Sequence, residues 1–176
     1  MKLTSVRKLV MTALFIALGL VLPSFFHMFG TGAAFLPMHI PVLLCGFLCG
    51  PLYGLACGMI LPLVSSVLTG MPVLFPTGTA MVFELGTYGL MTGLLYKKLA
   101  CVKGGVYISL VAAMLLGRAV SGIANSIFMG MAGKAYGMTA FLTGAFVTAL
   151  PGILIQLVLI PPMVLLLRKV LNLNTK

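Results

Sequence analysis

Acidic residues are all but missing from this sequence. Glu84 is the only one in 176 residues, and charged residues of either sign make up 7% of the chain. A water-facing globular surface needs several times more charge, so a soluble domain is excluded. Catalysis by paired carboxylates is excluded as well, because the sequence offers no second one. A phosphate-binding loop is missing too. The stretch GMAGKAYG around Lys134 lacks the Gly-x-x-x-x-Gly-Lys-Ser/Thr spacing that cradles phosphates. Nor is there a clear pair of inverted halves, the mark of many secondary transporters. The chain carries no engine and no evident catalyst.

What it has instead is apolar length. Hydrophobic residues make up 61% of the chain, which places it among integral membrane proteins. The net charge of +10 does not indicate nucleic acid, because the basic residues sit at the ends of apolar runs and not in a patch interleaved with aromatics. Apolar runs of about 20 residues predict membrane-crossing helices. The first could be a signal peptide with its cleavage site at Gly32–Ala34. The membrane-protein character of everything that follows favours an uncleaved span.

The run from Ile40 to Leu68 is too long for one span, and Gly50-Pro51 lies near its centre. Charge decides how to divide it. With two spans here there are six in all. Lys2, Arg7, Lys8, Lys97, Lys98, Lys103, Arg168, Lys169 and Lys176 then share one side of the membrane, and Lys134 stands alone on the other. One span would put the Lys97–Lys103 loop outside, against the positive-inside rule. The expectation is an all-α integral membrane protein, a single domain over 1–176. It is a six-transmembrane-helix bundle with both termini cytoplasmic and spans at about 9–26, 38–50, 51–68, 77–96, 104–129 and 139–167. The second and third spans are expected to be short. The external loops, such as HMFGTGAAFLPMH and TGMPVLFPTGT, are apolar as well as Gly/Pro-rich. Such loops suit a lid over a cavity, or backbone buried in protein.

Two charges fall inside spans. Glu84 lies in the fourth and Arg118 in the fifth. A lone charge at mid-membrane costs roughly 2.5–3.5 kcal/mol or more, so such groups pair or line a wet cavity. A structural Glu84–Arg118 pair and a ligand-facing role are both open, and both can hold. Arg118, Ser121 and Asn125 are spaced i, i+3, i+7 on one helix face, while Glu84 and Tyr88 share another at i, i+4. Gln156 adds an amide to the sixth span. These groups are candidates for one substrate cavity; as hydrogen-bond glue between helices each would contribute about 1 kcal/mol. His39, between Pro37 and Pro41, is expected at the external mouth of the second span in a capping or ligand-contacting role.

In CGFLCGPLYGLACG, the glycines at 46, 50, 54 and 58 read as two close-packing pairs, one on each side of a turn at Gly50-Pro51. Cys45, Cys49 and Cys57 read as small packing residues, since three thiols without a histidine make a weak metal site. No metal, no cofactor and no catalytic residue is expected.

The sequence resembles the substrate-specific S-components of energy-coupling factor (ECF) vitamin transporters over nearly its whole length. FLPMHIPVLLCGFLCGPLYG, SSVLTGMP, FELGTYG and GRAVSG are similar to segments of the group that includes pantothenate and pyridoxine carriers. ALFIA resembles the Ala-x-x-x-Ala docking motif, through Ala13 and Ala17. The resemblance implies a vitamin-binding subunit in a prokaryotic cell membrane. It would bind its ligand at the external face, then dock on a transmembrane T-component driven by two cytoplasmic ATPases. Some relatives stack tryptophan on the vitamin; this chain has none, so Phe35, Tyr88, Phe128, Tyr136 or Phe141 would serve. Pantothenate is the favoured substrate, with α-ribazole, pyridoxine or a queuosine precursor as alternatives. The competing classes are a self-sufficient small transporter or channel and a membrane enzyme.

Overall fold

The computed structural model describes residues 4–28 and 37–171, with side chains from 4–23 and 37–171; Phe35 lies outside them. The described residues are helical and contain no strand. In chain order the helices are α1 (Ser5–Met28), α2 (His39–Cys49), α3 (Pro51–Thr69), α4 (Thr79–Leu99), α5 (Gly105–Met131), α6 (Met138–Leu142) and α7 (Leu150–Val170). Short π-helical segments, Leu74–Gly78 and Thr143–Thr148, lead into α4 and out of α6.

Among the described residues, four helices are long and apolar enough to cross a membrane: α1, α3, α5 and α7. Of the expected short pair, only α2 is short. Its 11 residues reach about 16 Å, half of the ~30 Å hydrocarbon core, so its N-terminal end stops inside the bundle. The expected fourth span, 77–96, forms α4 but is not one of the four. The reason is composition: α4 carries Glu84, Thr87, Thr92, two tyrosines and three glycines. It holds that polarity because its partners, not lipid, cover much of it. The expected last span, 139–167, is not one continuous helix. The chain breaks there into α6, the π-helical segment and α7.

The core is built where α2, α3 and α4 meet, and glycines let them approach. A Cβ on Gly46 would fall on Thr92 and the Gly89 carbonyl, one on Gly54 on the Gly89 carbonyl, and one on Gly58 on the Leu85 carbonyl. The glycine stripe therefore packs chiefly against α4. Gly50 departs from the expected pairing, since a Cβ added to it would meet nothing within 4 Å. Its φ of 100° instead makes the turn that lets α2 fold back into α3. Leu43, Leu61, Leu85, Leu110, Ile160 and Val164 fill the apolar centre. Cys45, Cys49 and Cys57 are buried within it as free thiols, and the Cys45 sulfur lies 3.6 Å from the Thr12 hydroxyl.

α1 packs on α2 and α3 through Phe15 and through Gly19, whose missing side chain is replaced by Leu61. Its other face, with Ala13, Leu14, Ala17, Leu18 and Val21, is exposed. Basic residues of α1, α4 and α7 gather at one end of the bundle. Lys8 Nζ lies 5.7 Å from the centre of the Tyr53 ring, and the Arg168 guanidinium lies 4.9 Å from that of Tyr96. Gly93 of α4 meets Pro51 at the start of α3. The start of α1, the α2–α3 turn, the end of α4 and the end of α7 thus share that end.

Candidate functional site

Glu84 organises the polar centre. Its carboxylate is buried and accepts hydrogen bonds from the Tyr88 hydroxyl (3.1 Å to Oε1) and the Ser121 hydroxyl (2.8 Å to Oε2). Arg118 Nη1 stands 3.5 Å and His39 Nε2 3.6 Å from Oε1. Helical spacing explains half of this. Tyr88 is one turn along α4 from Glu84, and Arg118 and Ser121 are one turn apart on α5. Asn125 extends the α5 row, donating to the Ser121 carbonyl (2.9 Å) and hydroxyl (3.3 Å). Close approach of the two helices is local too. A Cβ on Gly117 would collide with the Tyr88 ring, so that glycine seats the tyrosine against α5.

His39 is the residue that the sequence left farthest from its place. It lies beside Glu84, only 2% exposed, with its ring 5.3 Å from that of Tyr88. It is there because α2 begins among buried residues and packs against α4. Gln156 of α7 is also buried. Its amide Nε2 has no hydrogen-bond partner among the described residues, nor do His39 Nδ1 or Arg118 Nε and Nη2. Burying a donor without an acceptor costs about 1–3 kcal/mol. Three of these atoms, Gln156 Nε2 and Arg118 Nε and Nη2, are N–H donors, which leaves the polar centre short of acceptors.

Beside this centre lies a cavity of about 590 Å³, within the range of small-molecule sites. Arg118, Gly122 and Ser126 line it from α5, and Tyr136, Phe141 and Phe146 from the segment that follows. Arg118 belongs to both: Nη1 faces Glu84, and the side chain also borders the cavity. Gly122 lets Phe141 close over α5, since a Cβ there would come within 2.6 Å of its ring. The Tyr136 phenol is held above its usual pKa by partial burial and then by the Glu84 carboxylate, which ties the α5–α6 connection electrostatically to the polar centre. Phe128 stacks on Phe83 (5.9 Å) and meets Phe75 edge-on (6.2 Å), away from the cavity lining. Gly122, Ser126 and Phe146 were not anticipated. Arg118, Gly122 and Ser126 are spaced i, i+4, i+8, a second α5 face that helical periodicity could have singled out.

No group of three or more His, Cys, Asp or Glu side chains that could hold a metal occurs among the described residues. A polar centre with unpaired donors thus lies beside a ligand-sized cavity inside an apolar helical bundle, an arrangement able to hold a small molecule. The model of one family, the ECF transporter substrate-specific component, matches residues 7–164, and this chain belongs to that family. No curated protein and no solved structure gives a significant match. The chain is thus a multi-pass membrane protein and a substrate-binding subunit of an ECF transporter. Its family works with a T-component and ATPases.

Proposed function

We propose that this chain is the high-affinity binding subunit of a pantothenate importer, set in a prokaryotic cell membrane as one domain of six membrane segments with both termini cytoplasmic. The observation that carries the substrate assignment is the state of Arg118. Glu84 occupies only Nη1, and Nε and Nη2 remain without an acceptor on a side chain that borders the cavity. That edge of a guanidinium is the one that takes a carboxylate with two parallel hydrogen bonds. Pantothenate brings a carboxylate, and its hydroxyls and amide supply acceptors for His39, Gln156 and Asn125. Tyr88, Tyr136 and Phe141 would wall the apolar part, with Phe35 as a further substrate contact. Pyridoxine, α-ribazole or a queuosine precursor would bring no carboxylate to the Arg118 edge.

Titration calorimetry on the purified protein tests this with pantothenate and with pantothenol, in which a CH2OH replaces the carboxylate. The alcohol is expected to bind at least about tenfold more weakly, given the ~1.5–3 kcal/mol of a hydrogen bond to a charged group. Equal affinities, or tighter binding of pyridoxine, would remove pantothenate from the site. Asn125→Ala is expected to weaken pantothenate about fivefold to tenfold while leaving the unfolding temperature within a few degrees, because Asn125 is only half-buried. Unchanged affinity would take Asn125 out of the site.

Partner docking is assigned to the exposed face of α1. Ala13 and Ala17 are four residues apart there, both accessible, with no side chain beyond Cβ to hold a partner helix away. Ala13→Trp or Ala17→Trp should abolish uptake in cells while ligand binding by the purified chain stays intact. Normal uptake by both variants would refute docking through this face.

A further inference from the structure

Two carboxylates cannot both be balanced by one guanidinium. By themselves Glu84 and Arg118 sum to zero charge, with Nη1 standing 3.5 Å from Oε1 and both side chains buried. An anionic ligand on the unpaired Nε and Nη2 edge of Arg118 adds a second negative charge to the same enclosed space. A charge without a partner inside a membrane bundle is costly, so a positive charge has to arrive with the ligand.

His39 is placed to carry that charge. It is buried, and Nε2 stands 3.6 Å from Glu84 Oε1. Neither ring nitrogen has a hydrogen-bond partner among the described residues, so no such contact holds the ring in a neutral tautomer. A protonated ring would aim an N–H at the carboxylate and turn the approach into a charge-assisted hydrogen bond. His39 does not line the cavity, so it acts through Glu84 as a positioning residue.

The other ionisable groups on the surrounding helices do not supply the charge. Tyr88 of α4 donates to the same carboxylate oxygen and so keeps its own proton. Cys45 and Cys49 of α2 and Cys57 of α3 are free thiols of the apolar core. Lys8 of α1 lies by Tyr53 of α3, just past the α2–α3 turn. Arg168 of α7 lies by Tyr96 of α4, which packs on Phe47. Lys169 follows Arg168, and Lys97 and Lys98 follow Tyr96. All of these charges are at the end of α2 away from His39.

We propose that an anionic ligand binding at Arg118 draws one proton into the polar centre, and that His39 holds it. Glu84 is then balanced by His39, and Arg118 is left to balance the ligand. The proposal rests on the anionic-ligand reading above but not on pantothenate in particular. Because the bound state holds one more proton, affinity falls as pH rises, by up to about tenfold per pH unit.

Titration calorimetry on the purified chain at about pH 8, the upper end of the ordinary histidine range, tests this. Two buffers of different ionisation enthalpy give the number of protons taken up per ligand. Pantothenate is the first probe and butyrate, a plain carboxylate, is the second. About one proton per bound carboxylate is expected, and none with the neutral pantothenol. His39→Gln should lose the proton uptake. If that variant does not fold, NMR of His27→Gln, in which His39 is the only histidine, carries the same test. Its ring signal should move to the imidazolium position when either carboxylate is added. Butyrate bound with a proton, and pantothenate not bound, would keep this proposal and discard pantothenate. Pantothenate bound with no proton taken up, or with one taken up while the His39 signal stays still, would overturn this proposal and leave the substrate assignment standing. Binding of neither carboxylate would overturn both.

Discussion

Glu84→Gln is expected to destabilise the folded protein by about 3–5 kcal/mol, the usual cost of removing one member of a buried ion pair. The substitution leaves Arg118 buried with no other carboxylate side chain in the sequence to pair it. It also places an amide N–H2 among groups that already donate: the Tyr88 and Ser121 hydroxyls and the Arg118 guanidinium. Arg118→Met alone removes the charge that faces Glu84. The two together remove both charges, so the double variant should be milder than either single one. Chemical unfolding in detergent micelles provides the cycle, and a coupling of at least about 1 kcal/mol is expected for side chains in direct contact. Additive losses would show that the 3.5 Å approach of Nη1 to the carboxylate carries no energy.

Much of this centre could be read from residue order. One acid in an apolar span must have a partner, and one arginine in the next span was the nearest choice. The i, i+3, i+7 row on α5 put Ser121 and Asn125 on the face that carries Arg118. The turn at Gly50-Pro51 followed from proline chemistry and from the distribution of lysines. His39 was different. Its approach to Glu84 joins residues 45 positions apart, through the packing of α2 on α4. Nothing in the local pattern around Pro37 and Pro41 specifies how deep α2 begins. The break of the last apolar run into α6, a π-helical segment and α7 was hidden for a similar reason. Apolar composition is nearly continuous from Ala140 to Leu167, with only Gly144, Pro151 and Gly152 as punctuation before the paired prolines at 161 and 162. Hydropathy read the length of that run but not its interruption.

Gly89→Ala is expected to have the second large effect. Gly89 sits where α4 crosses α3, and an added Cβ would press on the Gly54 carbonyl and stand 2.9 Å from its Cα. Backbone cannot swing aside as a side chain can, so α3 and α4 must separate along their length. Overpacking of this kind costs about 1–3 kcal/mol, and more where the neighbour cannot relax. Gly86→Ala, one turn earlier on α4, is the control. Its Cβ would meet only the Met59 and Leu55 side chains, at 3.2 and 3.3 Å. Both of those can shift, so this variant should lose less than about 1 kcal/mol. Thermal unfolding of the two variants, followed by size-exclusion profile, compares them directly. Equal stabilities would mean that the contact of α3 with α4 is looser than these glycines imply.

That tight α2–α3–α4 unit bears on how the chain works. Gly46, Gly54, Gly58, Gly89 and Gly93 bring the three helices into backbone contact, which makes them one stiff body. The polar centre lies between this body and α5, and the cavity lies between α5 and the broken segment Met138–Thr148. Adjustment around a ligand should therefore fall on the α5–α6 side, where α6 has no buried residue, while α1 presents Ala13 and Ala17 from the stiff side. Binding and docking would then use different parts of the fold.

The most direct test of the central claim is uptake of radiolabelled pantothenate into proteoliposomes. The purified chain alone should bind the label without accumulating it. Co-reconstitution with a T-component and its two ATPases should give accumulation that requires ATP and stops when Ala13 or Ala17 is replaced by tryptophan. Accumulation at full rate by the chain alone, without ATPases, would contradict the account and make this protein a transporter in its own right.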